Sequence, residues 1–68
     1  MITFEPLWET MRTRKVTTYQ LREHHGIDSR TIRRLRNNQN ITTDTLNKLC
    51  RILECTPADI LAYSPDQE

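Results

Sequence analysis

The chain has 68 residues, 35% of them hydrophobic, and a formal net charge of +1. This length allows one small domain with a modest core, because domains of about 60 residues bury only roughly 60% of the surface of the unfolded chain. The composition excludes a membrane span, which needs a run of about 18 apolar residues, and the start MITFEPLWET lacks the pattern of a secretory signal. We therefore expect a complete, cytoplasmic protein of one domain.

The first predicted elements are a short extended segment and a helix. The segment MITF alternates enough to be extended beside the end of the chain, although a strand pair of that length would be marginal. Pro6 follows Glu5 and suits the first turn of a helix, and Leu7 and Met11 stand one turn apart. We therefore predict a first helix that starts near Pro6, and no firm strand.

One pattern recurs later in the chain and predicts four more helix starts. In each case an apolar residue precedes a capping residue, and a second apolar residue follows the capping residue four positions later, as in a hydrophobic staple. Gly26 fits the left-handed position that ends the second helix, and Asn38 fits the same position after the third. The capping residues of the four starts are Thr17, Asp28, Thr42 and Thr56.

Five short helices with tight connections predict an all-α bundle. On the fourth helix one apolar stripe has the spacing i, i+3, i+4 and i+7, formed by Leu46, Leu49, Cys50 and Leu53. Cys50 and Cys55 lack C-x-x-C spacing and a nearby histidine, so we interpret them as small core residues. The adjacent His24 and His25 point in different directions on a helix. We therefore expect no metal site, and no cofactor.

The third predicted helix carries an unusual concentration of arginine. Ile32 and Leu35 fall within about 40° of one direction, whereas Arg30, Arg33, Arg34 and Asn37 lie on the opposite side. Like charges at this spacing repel by a few tenths of a kcal/mol per pair, so a polyanion is their natural counterpart. Residues 12–40 contain eight basic and two acidic residues and so carry a net charge of +6, whereas the rest of the chain carries −5. The simpler interpretation is a solvated face that uses arginine.

The segments around the arginine helix favour the polyanion. A helix of about eight residues, the turn 26–28 and a second helix from Ser29 form a helix-turn-helix, whose second helix enters the major groove of DNA. The stretch TTYQLREHHGIDSRTIRRLRNN resembles the helix-turn-helix of Cro/cI-type (XRE-like) repressors. The stretch ITTDTLNKLCRILECTPADIL is similar to the two helices that follow in small stand-alone members, so the resemblance covers roughly Leu7 to Leu61.

The resemblance implies a fold, a function and partners. The fold would be a five-helix lambda-repressor-like domain over residues 1–68, with the helix-turn-helix at about 17–37 and a short polar tail at 64–68. The function would be that of a sequence-specific transcriptional regulator, expected to be a repressor. It would read the major groove of a double-stranded DNA operator with helix 29–37. The protein would act as a homodimer on paired half-sites about one helical turn apart.

The resemblance also implies which residues contact DNA. Family members contact base edges from the second helix of the motif and phosphates from the start of the first. Phosphate contacts position the protein and base contacts specify the sequence, and two arginines on base edges would favour half-sites that contain guanine. Base contacts are expected from Ser29, Arg30, Arg33 and Arg34. Backbone contacts are expected from Thr17, Thr18, Tyr19, Arg36, Asn37, Asn38 and Asn40.

The sequence departs from the family pattern in three places. Family members often have glycine at the position of Asn38 and alanine at the position of Arg22, whose stem must here be buried or turn outward. Many also pair an arginine of the first helix with a glutamate at the end of the recognition helix. Met11 and Arg36 stand at those two positions, so we predict a repacked contact and an Arg36 free for a phosphate.

Other function classes have weaker support in the sequence. No Gly-rich phosphate loop, paired carboxylates or metal set points to an enzyme or to a small-molecule ligand. The alternative is an antitoxin-like or immunity-like protein-interaction module that uses Trp8, Tyr19, Tyr63 and the tail SPDQE. We instead interpret Trp8 as core, Tyr19 as partly buried and Tyr63 as a cover over the end of the core. RNA binding would require interleaved aromatic residues, which are missing.

Overall fold

The computed structural model describes residues 1–65. Within them, none of the helices is long and apolar enough to cross a membrane. The fold is a mostly helical helix-turn-helix fold with a minor strand pair. Its elements in chain order are β1 (Ile2–Thr3), α1 (Glu5–Arg14), α2 (Thr18–His25), α3 (Ser29–Arg36), α4 (Thr43–Leu53), a 3-10 turn (Pro57–Asp59) and β2 (Ala62–Tyr63).

The prediction of five helices is wrong by one, because the fifth start produces only the 3-10 turn. Its local signals are present: Thr56 forms a capping box with Asp59, and Pro57 occupies the first turn. The chain then leaves the helical path at Ile60, which is fully buried and whose carbonyl accepts a hydrogen bond from the Leu7 N–H, 3.1 Å away. The burial of Ile60 and the strand pairing that follows override the local helix signal.

The strand pair joins the beginning and the end of the described chain. β1 and β2 are antiparallel, with Ile2 opposite Tyr63 and Thr3 opposite Ala62. The Ser64 N–H extends the pairing with a 2.9 Å bond to the Met1 carbonyl. The expectation of an extended segment at the start, beside the end of the chain, is thus confirmed for Ile2–Thr3, and the strand pair is a minor addition to the predicted all-α fold.

The predicted capping residues of the long helices are confirmed. The Thr17 hydroxyl accepts from the Gln20 N–H at 3.2 Å, and the Thr42 hydroxyl accepts from the Thr45 N–H at 3.1 Å. Gly26 and Asn38 adopt the left-handed conformation, with φ of 71° and 55°. Because these interactions are local, the sequence alone can predict the helix boundaries that they define.

The core is built from each of the four helices. Its fully buried side chains are one leucine from each of α1, α2 and α3, two leucines from α4, and Ile60. Met11 is 4% exposed and belongs to this core, whereas Arg36 is exposed, and a repacked contact between their two helices stays a prediction. The buried core residues are Phe4, Leu7, Met11, Leu21, Ile27, Ile32, Leu35, Leu49, Leu53 and Ile60.

Several aromatic and sulfur side chains differ from their predicted burial. Tyr19 was predicted to be partly buried, but it is 58% exposed. Tyr63 was predicted to cover the end of the core, but it is 69% exposed. Trp8 is half-buried and packs against the core. Cys50 and Cys55 are free thiols that are also only half-buried. Burial raises the pKa of the Cys55 thiol, with the neighbouring Cys50 as the next cause.

Candidate nucleic-acid interface

The turn between α2 and α3 holds the two helices in a defined relation. The Ile27 N–H donates to the Leu21 carbonyl at 3.0 Å, and the Ile27 side chain is 3% exposed. Asp28 then starts α3, because its carboxylate accepts a hydrogen bond from the Thr31 N–H at 2.8 Å. The buried Ile27 and the capping Asp28 are consecutive residues, so the turn fixes the direction of α3 relative to α2.

The burial of two α3 residues directs the arginines outward. Ile32 and Leu35 are 5% and 0% exposed, as predicted, and all four arginines of α3 are exposed. None of their guanidinium groups forms a hydrogen bond or a salt bridge with another residue in 1–65. This face therefore holds four positive charges without a close counter-charge pairing, which favours binding of an anion.

The start of α2 lies beside one half of the arginine face. A cleft of about 200 Å³ between α2 and α3 is lined by Thr18, Arg22, Ser29, Ile32, Arg33 and Arg36. The N–H groups in the first turn of a helix have no partner within the helix. In α2 the Gln20 N–H binds the Thr17 hydroxyl, which leaves the N–H groups of Thr18 and Tyr19. A helix N-terminus with unused N–H groups next to guanidinium groups is a suitable environment for a phosphate.

A second, open cleft of about 760 Å³ lies on the other side of α3. It is lined by Arg34, Gln39, Asn40, Ile41 and Thr42. Thr42 caps α4, so a second helix start joins the basic face here. Thr42 was not among the predicted contacts, although a hydroxyl at a helix start, as at Thr17, is the sequence signal that could have identified it.

The structure brings some of the predicted contact residues together and separates others. Ser29, Arg33 and Arg36 share the first cleft, and Arg34 shares the second with Asn40. Arg30 and Asn37 are exposed and line neither cleft.

Tyr19 and Arg22 form a small group of their own on α2. The Arg22 guanidinium lies 5.8 Å from the centre of the Tyr19 ring, so Arg22 turns outward. The Arg22 Nε also lies 3.5 Å from the Glu23 carboxylate.

Asn38 has a structural partner. Its side-chain oxygen accepts a 2.8 Å hydrogen bond from the backbone N–H of Phe4. This bond occupies the oxygen, so a contact of Asn38 with a phosphate would use the remaining amide N–H groups.

Asp28 is the acidic residue closest in sequence to the arginine face. It is exposed, and hydrogen bonds from the Thr31 side chain and backbone lower its pKa, with smaller contributions from the charges of Arg30 and Arg34. The carboxylate is therefore ionised at neutral pH and adjoins the N-terminal end of the basic helix.

Comparison with known proteins identifies the family of this arrangement. The family model of the Cro/C1-type HTH DNA-binding domain matches residues 6–66. The chain belongs to this family. In Bacillus subtilis (strain 168), the uncharacterized HTH-type transcriptional regulator YozG is 37% identical over 57 residues, which cover 81% of this chain and 68% of YozG.

A solved structure agrees with the family. The crystal structure of the transcriptional regulator VanUg, Form II, is similar with a TM-score of 0.86 and 28% sequence identity, covering 96% of this chain and 87% of that one. This Cro/C1-type protein is a DNA-binding transcriptional regulator, as the helix-turn-helix predicts. The comparisons give no support to the alternative of a protein-interaction module that only retains the fold.

Proposed function

We propose that this regulator binds a specific double-stranded DNA operator as a homodimer and represses transcription. The observation that carries the proposal is the outward face of α3, where four guanidinium groups have no salt-bridge partner in residues 1–65. The starts of α2 and α4 border this face through the two clefts. A basic helix between two helix N-termini matches the surface of a duplex, with bases in the groove and phosphates on both sides.

The exposed side of α3 would read the bases. In helix-turn-helix proteins the second helix contacts base edges, chiefly from its N-terminal part, and the expected contacts here are Ser29, Arg30, Arg33 and Arg34. Arginine binds the O6 and N7 acceptors of guanine with two hydrogen bonds, and each such pair contributes roughly 1–3 kcal/mol of discrimination. We therefore expect half-sites that contain guanine.

The residues around α3 would hold the phosphates. Thr17, Thr18 and Tyr19 present the start of α2, and Arg36 lies in the same cleft as Thr18. Asn37, Asn38 and Asn40 follow α3 and would contact the backbone on the other side of the groove. These contacts contribute affinity that depends on salt and is the same for every sequence.

Two copies would bind paired half-sites. A homodimer places its two recognition helices about 34–36 Å apart, one turn of DNA, so the operator would be an inverted repeat. Sedimentation of the protein with and without its duplex gives the stoichiometry, and a footprint gives the spacing. A single copy on a single protected half-site would contradict this part of the proposal.

The first experiment is a selection from random duplexes with the full chain, followed by affinity measurements. The wild type should enrich one sequence, and the Arg30→Ala/Arg34→Ala variant should lose most of that preference. Lys48→Ala/Arg51→Ala is the matched control, because it also removes two positive charges and both residues are exposed on α4 in a cleft that holds none of the proposed contacts. Failure of the wild type to enrich any sequence would overturn the proposal.

Repression requires its own test. We would measure transcription in vitro from the promoter upstream of the protein's own coding sequence, with increasing regulator. Transcription should fall when the enriched operator overlaps that promoter. A rise in transcription would identify an activator instead.

A further inference from the structure

The three long helices that follow α1 start with different kinds of capping side chain. α2 and α4, whose starts border the clefts of the proposed phosphate contacts, are capped by the neutral hydroxyls of Thr17 and Thr42. α3, whose start would face the bases, is capped by the carboxylate of Asp28. Asparagine, aspartate and serine cap a helix about equally well, so capping alone does not require a negative charge here.

The carboxylate of Asp28 also has unused hydrogen-bonding capacity. An ionised carboxylate offers about four acceptor positions, and Thr31 with its backbone and side chain occupies at most two of them. Asp28 is exposed and forms no salt bridge within 4.0 Å in residues 1–65. The other acidic residue of the helix-turn-helix, Glu23, lies beside Arg22. Asp28 therefore brings an acceptor-only group to the end of α3 that enters the groove.

The chemistry of the major groove decides which base such a group tolerates. Guanine presents the acceptors N7 and O6, and thymine presents the acceptor O4, so both repel a carboxylate. Adenine offers the N6 amino group beside its own acceptor N7, whereas cytosine offers the N4 amino group and has no acceptor of its own in the major groove. An acceptor-only side chain is therefore best matched by cytosine.

We propose that Asp28 is a specificity-determining residue that selects cytosine at one position of each half-site, by accepting a hydrogen bond from its N4 amino group. The inference rests on the proposed function, since it requires the start of α3 to lie in the major groove. Near phosphates the same charge lowers affinity for every duplex. Asp28 thus lowers the affinity for DNA in general and increases the discrimination between bases, whereas the arginines increase both.

The test replaces the charge and keeps the cap. Asp28→Asn preserves the shape and the capping oxygen, and Asp28→Ser introduces the hydroxyl type of cap that starts α2 and α4. Asp44→Asn is the matched control, because it removes the same charge from an exposed position in the first turn of α4. Each full-length protein undergoes the random-duplex selection, and its affinity for the wild-type site is then measured with each of the four base pairs at every position.

Wild type should prefer cytosine at one position by roughly tenfold, the usual scale of a good base contact. In both Asp28 variants that preference should fall below about twofold, while binding to unrelated duplexes becomes tighter and the other positions keep their preferences. Asp44→Asn should leave every base preference unchanged. If the Asp28 variants keep all preferences of the wild type, Asp28 is a cap alone and the inference fails. If the wild type itself enriches no sequence, the proposed function fails as well, so the two failures are distinguishable.

Discussion

The side-chain oxygen of Asn38 accepts a 2.8 Å hydrogen bond from the backbone N–H of Phe4, which lies 34 residues earlier in the chain. Asn38 has a φ of 55° at the end of α3, and Phe4 is buried at the end of β1. The backbone of Asn38 thus turns the chain after the proposed recognition helix, and its side chain satisfies a backbone donor beside the core. This double role explains why asparagine can stand where family members often have glycine.

Asn38→Ala should therefore lower the free energy of unfolding by about 2–3 kcal/mol. The change leaves the Phe4 N–H without its partner and places alanine in a left-handed conformation. Asn38→Gly should cost about 1 kcal/mol less than Asn38→Ala, because glycine adopts that conformation without strain. Urea unfolding of the three proteins checks the order. Equal stability of the glycine variant and the wild type would show that the hydrogen bond contributes nothing.

Gly26→Ala should lower the free energy of unfolding by about 1 kcal/mol through backbone conformation alone. Gly26 has a φ of 71°, and a Cβ atom at this position would have no heavy atom within 4 Å apart from those of Gly26 and its two chain neighbours. Lys15→Gly should instead raise the free energy of unfolding by up to about 1 kcal/mol. Lys15 has a φ of 59° at the end of α1, a conformation that glycine adopts without strain. Thermal and urea unfolding measure both. A loss much larger than about 2 kcal/mol in Gly26→Ala would contradict the absence of a clash.

Acidification should remove a stabilising contribution of Asp28. Hydrogen bonds from Thr31 lower the pKa of Asp28 in the folded protein, so the folded state binds its proton less readily than the unfolded state does. The contribution is complete above the ordinary pKa of an aspartate, about 4, and disappears as the pH falls through the lower folded value. Asp28→Asn has no such titration. The difference between the unfolding free energies of the two proteins should therefore change only in acid, as urea unfolding across a pH series would reveal.

Arg36→Ala should reduce the salt dependence of DNA binding and leave the sequence preference intact. Arg36 lies in the cleft with Thr18, where we propose a phosphate. Loss of one phosphate contact lowers the slope of log K against log salt by about 0.9. Fluorescence anisotropy at several salt concentrations gives this slope, and Arg34→Ala is the comparison, because its main expected effect is on base preference. An unchanged slope in Arg36→Ala would remove this residue from the phosphate contacts.

The helix-turn-helix could be predicted from the sequence because its signals are local. The capping residue Thr17, the left-handed Gly26 and the capping carboxylate of Asp28 each act within a few residues, and the structure confirms all three. The fate of the fifth helix start could not be predicted from Thr56 alone. It depends on the burial of Ile60 and on a strand pair between distant parts of the chain.

The candidate site could also be predicted where it depends on local spacing, but not where it depends on contacts between distant residues. The spacing of Ile32 and Leu35 determines the direction of the arginines, so the outward basic face follows from periodicity. The partner of Asn38 does not, because a hydrogen bond across 34 residues has no sequence signature. The position of Thr42 beside Arg34 likewise depends on how α4 packs. The individual base and phosphate contacts stay predictions.

The pairing of β1 with β2 also makes the fold depend on residues from both ends of the described chain. β1 is translated first, and the residues that complete its surroundings, Ile60 and the strand Ala62–Tyr63, are translated after every helix. A nascent chain that has already made α3 therefore lacks the partner of β1 and the carbonyl that binds the Leu7 N–H. The described domain is therefore completely packed only when the strand Ala62–Tyr63 is in place, and shortening the chain before Ile60 would remove both partners at once.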